Sequence, residues 1–211
     1  AKLRFSATDF AMNSLGELFL TDAYSSRILK VGEKGLEVFA GTGEAGYVDG
    51  DRLTAKFNRP QSLAFDSNDN LFVSDKQNNR IRKISTNGTV STVAGNGEYL
   101  SFDGLGPQSG LRLPNTIRFD MEGNLLISTE RSVRKLDVDG FLSKVAGSYD
   151  GVGDLDGTFE EARFNRLESM LPISDGSILV FDFQSGKLKR IANGVVETIT
   201  GKGYNYADGS L

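Results

Sequence analysis

A fourfold internal repeat constrains this chain more than any other feature of its sequence. An Asp-Gly pair closes each of four similar segments, and the pairs recur at intervals of about 53 residues. The closing glycines are Gly50, Gly104, Gly157 and Gly209. Two further series share this register: GELFLTD, DNLFVSD, GNLLIST and GSILVFD, and RILKV, RIRKI, VRKL and KLKRI. The chain is therefore predicted to contain four copies of one unit, at approximately 1–54, 55–110, 111–161 and 162–211.

Each unit is predicted to form four short β-strands. In the second unit these are SLAFD, NLFVSD, RIRKIS and VSTVAG, separated by the turn-forming stretches DSNDN, DKQNN and TNG. Ile81 and Ile84 are three residues apart, so the third strand is expected to contain a bulge or to be buried on both faces. Four-stranded units at a spacing of roughly 40–50 residues are typical of a β-propeller. The predicted fold is therefore an all-β propeller with four four-stranded blades.

The second unit also resembles a known repeat. Its pattern P-x-x-L-A-F-D, N-L-F-V-S-D-x-x-N-N-R-I-R-K-I and V-A-G-x-G is similar to the NHL repeat, and the first and fourth units match well while the third is degraded. The resemblance implies a propeller, and such propellers serve very different functions. Propellers of this family usually have six blades. Two alternatives therefore stay open, a closed four-bladed ring or part of a larger, typically six-bladed, ring.

The two ends of the sequence bear on the same question. ADGSL followed by AKLRF resembles the internal joint DGDRLTAKF, so the last unit is expected to lead into the first as one blade leads into the next. An open arc would leave two apolar faces bare. That alternative predicts a homo-oligomer or a subunit of a larger assembly.

The composition excludes several classes of site. The 211 residues include no cysteine and no histidine, which excludes disulfides, thiolate or imidazole metal sites and a Ser-His-Asp triad. The net charge is −4, whereas proteins that bind nucleic-acid phosphates usually carry a basic excess. Nucleic acid is therefore not an expected partner. No apolar run approaches the roughly 18 residues that cross a bilayer, so no membrane span is predicted.

The compartment is predicted from the repeat alone. The VAGxG form of the repeat resembles that of exported proteins, which implies an extracytoplasmic or secreted location. No export signal is visible in AKLRFSATDF, and the sequence begins without Met, so an upstream segment could have been removed or left out.

An acid at the end of the second strand and a base at the start of the third recur in three units. The pairs are Asp22 with Arg27, Asp75 with Arg80, and Asp182 with Lys187. A residue pair present in several blades is expected to be structural, because a binding site on a pseudo-symmetric ring is usually asymmetric. These pairs are therefore predicted to be structural clasps, and the third unit lacks the pair.

Loops on one face of the propeller hold the candidate binding residues. The turn between the second and third strands and the connection to the next blade share this face. The candidates are Tyr24, Gln77, Tyr99, Glu130, Arg131, Tyr149, Phe183, Gln184 and Tyr204. Tyrosines on one rim could stack on sugars or anchor a protein partner. The alternative is that they pack the loops, as is expected of Tyr47 and Tyr206, which share a repeat position.

The first strand of each unit is predicted to line a central channel. Its candidate residues are Asp9, Gln61, Asn115, Arg118 and Glu168. The simplest expectation is that the polar positions bind channel water. The alternative is a divalent cation held near Asp9 and Glu168. The acidic stretch DGVGDLDG suggests calcium superficially, but it lacks the ligand spacing of an EF-hand loop and is expected to be a longer turn.

The function predicted from these patterns is a non-enzymatic binding or scaffold module that presents a rigid loop face to a protein or glycan. No catalytic residue, metal ligand or cofactor is assigned. Two alternatives remain: a hydrolase or lyase with an oxygen-ligated divalent metal in the channel, and a structural subunit of a larger assembly.

Overall fold

The computed structural model describes residues 6–201, whose strands form four antiparallel sheets. The first sheet contains β1 (Phe10–Met12), β2 (Leu18–Asp22), β3 (Arg27–Gly32) and β4 (Gly35–Ala40). The second contains β5 (Gly50–Asp51), β6 (Pro60–Phe65), β7 (Leu71–Asp75), β8 (Arg80–Ile84) and β9 (Thr89–Ala94). The third contains β10 (Gly104–Leu105), β11 (Ile117–Phe119), β12 (Leu125–Ser128), β13 (Ser132–Leu136) and β14 (Phe141–Gly147). The fourth contains β15 (Gly157–Thr158), β16 (Leu167–Pro172), β17 (Ile178–Asp182), β18 (Lys187–Ala192) and β19 (Val195–Thr200).

Each sheet is a propeller blade, which confirms the predicted fold. Four strands follow one another from the inner to the outer edge, and the inner strands of neighbouring blades contact each other. Two short 3₁₀ helices, Lys76–Asn78 and Gly106–Gln108, lie in connections. Within residues 6–201, no helix is long and apolar enough to cross a membrane.

The Asp-Gly repeat marks the point where the chain crosses from one blade to the next. The two-residue strands β5, β10 and β15 pair with the outer strands β9, β14 and β19 of the following blade. Gly50 lies opposite Val90 and Asp51 lies opposite Thr89. The second, third and fourth blades therefore have five strands rather than the predicted four, and each takes its outermost strand from the preceding unit.

Each blade has a bulge in its fourth strand and not in the third, and the extra residues are Phe39, Val93, Val145 and Ile199. The third strand follows the other expectation drawn from Ile81 and Ile84, burial on both faces, since the consecutive residues Ile81 and Arg82 are both buried. The pairing with the fourth strand shifts register at Ile28/Leu29, Ile81/Arg82, Val133/Arg134 and Leu188/Lys189. The residue after each shift is buried. In three blades that residue is a cation, and in the first it is Leu29.

The apolar core lies between blades rather than inside them. Leu63 of the second blade packs with Phe19 and Ile28 of the first, and two similar clusters join the second to the third and the third to the fourth. Leu63 is 1% exposed, whereas Phe10, at the same repeat position in the first blade, is 68% exposed. The first blade is therefore not covered by the fourth. The described residues form an open arc, which excludes a closed four-bladed ring for residues 6–201.

Candidate functional site

Three buried aspartates organise the loop face, which comprises the turns between second and third strands and the connections that cross to the next blade. Asp22, Asp75 and Asp182 end β2, β7 and β17 and are fully buried. They accept hydrogen bonds from the backbone N–H groups of Ser6, Asn58 and Asn165. Each carboxylate thus ties the segment before the inner strand to the end of the second strand.

The predicted clasp is an ion pair only in the first blade, where Arg27 Nε lies 3.1 Å from Asp22 Oδ2. In the second blade Asp75 pairs instead with Arg82, at 2.9 Å. Arg82 is fully buried on β8, and its guanidinium reaches the buried carboxylate. Leu29 occupies the position of Arg82 in the first blade, so Asp22 forms its ion pair with Arg27 instead.

The outer bases of the other two predicted clasps have different partners. Arg80 donates to the carbonyl oxygens of Asn78 and Asn96, and its guanidinium lies 3.9 Å from the centre of the Tyr47 ring. Lys187 pairs with Asp154 at 2.5 Å. The predicted pairing of Asp22 with Arg27 is thus confirmed. The partners predicted for Arg80 and Lys187 are wrong.

A second recurring ion pair joins the blades. Fully buried Arg82, Arg134 and Lys189 bind the aspartates of the preceding Asp-Gly pairs, and the partners are Asp49, Asp103 and Asp156. The distances are 2.5, 2.9 and 2.8 Å. The cations and the aspartates of these ion pairs both recur in the sequence, but the sequence revealed only the aspartates, as part of the Asp-Gly repeat.

Three of the aromatic residues predicted as binding residues on the loop face are exposed and adjoin arginines. Tyr24 is 79% exposed, and the Arg59 guanidinium lies 5.6 Å from its ring centre. The others are Tyr99, 54% exposed with Arg112 at 4.1 Å, and Phe183, 48% exposed with Arg166 at 5.4 Å. These contacts fix the rings while leaving their area accessible. The arginines were not predicted, although Arg59 and Arg166 share a repeat position two residues before Gln61 and Glu168.

Tyr149 differs from the other predicted aromatics. Its hydroxyl donates to Asp103, and Arg134 lies 4.9 Å from its ring centre. Burial and the hydrogen bond to Asp103 raise the pKa of Tyr149. The residue therefore belongs to the link between blades rather than to an accessible surface. Tyr204, the remaining tyrosine of the predicted set, lies outside the described residues, as does Tyr206.

The remaining predicted loop residues lie on the same face. Gln77 and Gln184 are exposed, and the Gln77 N–H donates to the carbonyl of Asn58. The Arg131 guanidinium donates to the Asp150 carbonyl at 2.6 Å. Glu130 is half-buried beside it and accepts the Leu167 N–H through its backbone carbonyl.

A charged cluster occupies the mouth of the channel. Lys76 Nζ donates to Asn115 Oδ1 at 3.1 Å, and Glu168 forms an ion pair with Arg166 at 2.6 Å. Burial lowers the pKa of Lys76, and the nearby carboxylates of Glu168 and Glu130 oppose that change. This partly desolvated ammonium group was not among the predicted site residues, because its repeat position holds no other lysine.

Deeper in the channel, polar groups connect inner strands of different blades. Arg118 reaches across to Asp9 at 3.0 Å, and Ser62 bonds to both of them. The Gln61 carbonyl accepts the Thr8 hydroxyl at 2.8 Å. These channel positions therefore hold the blades together, a role that the sequence did not predict.

The Asn115 amide makes a further link of this kind. Its Nδ2 donates to the Leu167 carbonyl at 2.9 Å, which joins the third blade to the fourth.

The carboxylates of residues 6–201 are not gathered as a metal site requires. No group of three or more His, Cys, Asp or Glu side chains is placed to hold a metal ion among residues 6–201. Asp9 and Glu168, the predicted cation ligands, each pair with an arginine. In the stretch that suggested calcium, Asp154 and Asp156 both bind Lys189, at 2.8 Å.

The strand–turn–strand geometry of the second blade coincides with a family match. Residues 57–84, which contain β6, β7 and β8, match the model of the NHL repeat. Residues 57–84 therefore form an NHL repeat. Over 74 residues this chain is 40% identical to the protein SUPPRESSOR OF QUENCHING 1, chloroplastic, of Arabidopsis thaliana. The match covers 34% of this chain and 7% of that protein.

Solved structures share the fold of this chain. A protein of unknown function from Bacteroides thetaiotaomicron superposes with a TM-score of 0.73 at 22% identity, over 90% of this chain and 47% of its own. A catalytically inactive variant of virginiamycin B lyase from Staphylococcus aureus, bound to quinupristin, superposes with a TM-score of 0.63 at 12% identity. That alignment covers 92% of this chain and 55% of the lyase. The likenesses show the fold alone, and this chain spans about half the length of each.

Proposed function

We propose that the chain is a non-enzymatic binding module whose loop face holds a partner, and that the partner is a protein. The observation that carries the proposal is the set of exposed rings of Tyr24, Tyr99 and Phe183, each beside an arginine. Aromatic residues and arginine are the side chains most enriched at the energetic centres of protein interfaces.

The scaffold under these rings supports the same function. Buried aspartates and the ion pairs between blades fix the loops, so the rings lose little conformational freedom when a partner binds. The charged cluster of Lys76, Arg166 and Glu168 adds polar groups that can complement a charged partner. We propose a protein rather than a glycan because the arginines would add charge to the contact.

The test uses the immobilised chain and a triple variant, Tyr24→Ala with Tyr99→Ala and Phe183→Ala. We expect proteins captured by the wild type to bind the triple variant roughly 100-fold more weakly, because central aromatic residues dominate binding energy. Affinity is measured by titrating each captured protein against both forms. Circular dichroism and thermal unfolding check that the exposed substitutions leave the fold intact.

A matched control replaces apolar residues of equal exposure elsewhere. Leu15 and Met121 are each 79% exposed and lie in turns between first and second strands, outside the loop face. The Leu15→Ala, Met121→Ala variant is expected to bind like the wild type. If the triple variant binds as tightly as the wild type, the assignment of the site is wrong. If the chain binds glycans on an array and no protein, the proposed class of partner is wrong.

A further inference from the structure

A groove on the side of the arc opposite the loop face separates the second and third blades. It is bounded by the turns that contain Asn68, Glu122 and Asp139 and by Gly106, where the crossing segment has left the loop face and its N–H donates to the Gly140 carbonyl. Its volume is about 750 Å³, whereas the corresponding spaces between the first and second and the third and fourth blades measure about 260 and 190 Å³. We call it the Gly106 groove.

Two repeat positions distinguish this joint, and the first of them is Gly106. Arg52, Gly106 and Phe159 each follow the Asp-Gly crossing by two residues, and their N–H groups donate to the equivalent carbonyls of Gly88, Gly140 and Gly194. Arg52 fills its joint by lying 5.0 Å from the Phe39 ring centre, and Phe159 packs into the core between the third and fourth blades. Gly106 has no side chain, so the joint beside it stays open.

The floor of the groove is apolar. Phe72 and Phe119 meet edge to face with ring centres 5.1 Å apart, and Leu125, Leu136 and Val93 complete the lining. Val93 occupies the position of Phe39 in the first blade, so a second large residue is also replaced by a smaller one here. A groove of this size accommodates a few side chains of a ligand.

The rim is negatively charged. Asp66, Glu122, Asp137 and Asp139 border the groove, against one cation, Lys83, which lies 5.6 Å from the centre of the Phe72 ring. Glu122 and Asp139 are exposed. An apolar floor under a carboxylate rim complements a ligand that combines an apolar side chain with positive charge.

We propose that the Gly106 groove binds an extended peptide segment that inserts an aromatic or long aliphatic side chain next to a lysine or arginine. The groove runs along the joint from the inner turns at Asn68 and Glu122 to the outer turn at Asp139, which suits an extended segment. The proposal is independent of the loop-face function, because the two sites lie on opposite sides of the arc.

The probe is acetyl-Lys-Phe-Lys-amide, titrated into the ¹⁵N-labelled chain while amide shifts are followed by nuclear magnetic resonance. We expect saturable shifts at Gly106, Gly123 and Gly140, and binding that weakens as salt is added. The control peptides acetyl-Lys-Ala-Lys-amide and acetyl-Glu-Phe-Glu-amide are expected to bind roughly tenfold more weakly, since each lacks one half of the complementarity. Equal binding of either control, or no shift at these glycines, overturns the proposal.

Two variants locate the site. Val93→Phe fills the groove with the residue found at the equivalent position of the first blade, and it is expected to weaken binding by about tenfold. The Glu122→Lys, Asp139→Lys variant changes only exposed rim residues and keeps the test decisive if Val93→Phe does not fold.

Glu98→Lys is the matched control for the rim variant, because it makes the same charge change on an exposed connection of the loop face. We expect the Glu98→Lys chain to bind the probe like the wild type. Probe binding that the rim variant leaves unchanged, or that Glu98→Lys weakens to the same extent, contradicts the proposal.

Discussion

Arg80 and Arg82 lie two positions apart on β8 and have opposite environments. Arg82 is fully buried and binds Asp75 and Asp49, whereas Arg80 lies partly exposed over Tyr47. Two residues at this spacing face the same side of a strand, and both guanidinium groups lie over the Tyr47 ring, at 3.9 and 4.8 Å from its centre. Arg82 is the structural cation because its guanidinium, unlike that of Arg80, reaches both Asp75 and Asp49.

Replacement of the two arginines by methionine separates their roles. Arg82→Met leaves the Asp75 carboxylate buried without its cation, and we expect it to lower the free energy of unfolding by about 3–5 kcal/mol. Arg80→Met serves as the matched control and is expected to cost about 1 kcal/mol or less. Urea unfolding measures both. Equal losses would contradict the assignment of Arg82 as the buried partner.

Residue patterns revealed that acids and bases recur, but they did not identify the pairs. Asp75 and Arg80 are adjacent in the strand pairing, so their predicted contact was reasonable. The partner of Asp75 is Arg82, which lies two residues further along β8, and residue identity does not show which of the two arginines is buried beside the carboxylate. Tyr149 illustrates the same limit, because its contact with Asp103 spans two blades.

At the scale of elements, strand prediction succeeds where a run of apolar residues is long enough. The predicted strands NLFVSD and RIRKIS correspond to β7 and β8 within a residue at each end. The two-residue strands β5, β10 and β15 were missed. A strand of two residues shows no alternation, and its pairing is fixed by the next blade rather than by local sequence.

The crossing into the fourth blade should be sensitive to acid. Asp156 precedes β15 and accepts Lys189 Nζ at 2.8 Å and the Thr198 N–H at 2.7 Å. Burial favours the protonated acid, but these hydrogen bonds outweigh it and hold the pKa of Asp156 below its ordinary 3.8. Because the folded value is the lower one, the stabilisation is complete above the unfolded pKa and is lost as the pH falls through the folded pKa.

Asp156→Asn measures this contribution. We expect the difference in free energy of unfolding between wild type and variant to be constant near neutral pH and to shrink below about pH 4. In a Lys189→Met background, the pH-dependent part of this difference in free energy should be smaller, because Asp156 has lost its main ionic partner. Thermal unfolding across the acid range provides the values. A difference that stays constant down to strong acid would show that the carboxylate is not stabilised by folding.

At the scale of the whole molecule, the two terminal blades expose faces that are buried elsewhere in the arc. Phe10, Met12 and Val31 are exposed on the first blade, and Leu171 and Ile199 on the fourth. The equivalent Leu63, at an internal joint, is buried, which is worth about 1.5–3 kcal/mol for such a side chain. The sequence predicted four blades but left closure open, because closure depends on the angle between blades.

These faces predict head-to-tail association of the isolated 211-residue chain, since each internal joint pairs the same two kinds of face. Sedimentation should give a mass above that of one chain. Phe10→Asp should reduce that mass by placing a charge on the apolar face. Met121→Asp introduces the same charge at a similarly exposed apolar residue on a turn and should leave the mass unchanged. A monomeric wild type would show that the faces do not associate.

The crossing strands also give the arc a direction. β5 is covalently part of the segment that leaves the first blade, yet it covers the outer edge of β9 in the second. Fraying that starts in the first blade can therefore remove β5 from the outer edge of the second blade and so spread to the following blades. Fraying that starts in the fourth removes no strand from the third. Local unfolding of the arc is thus directional: it spreads from the first blade toward the fourth more readily than in the reverse direction.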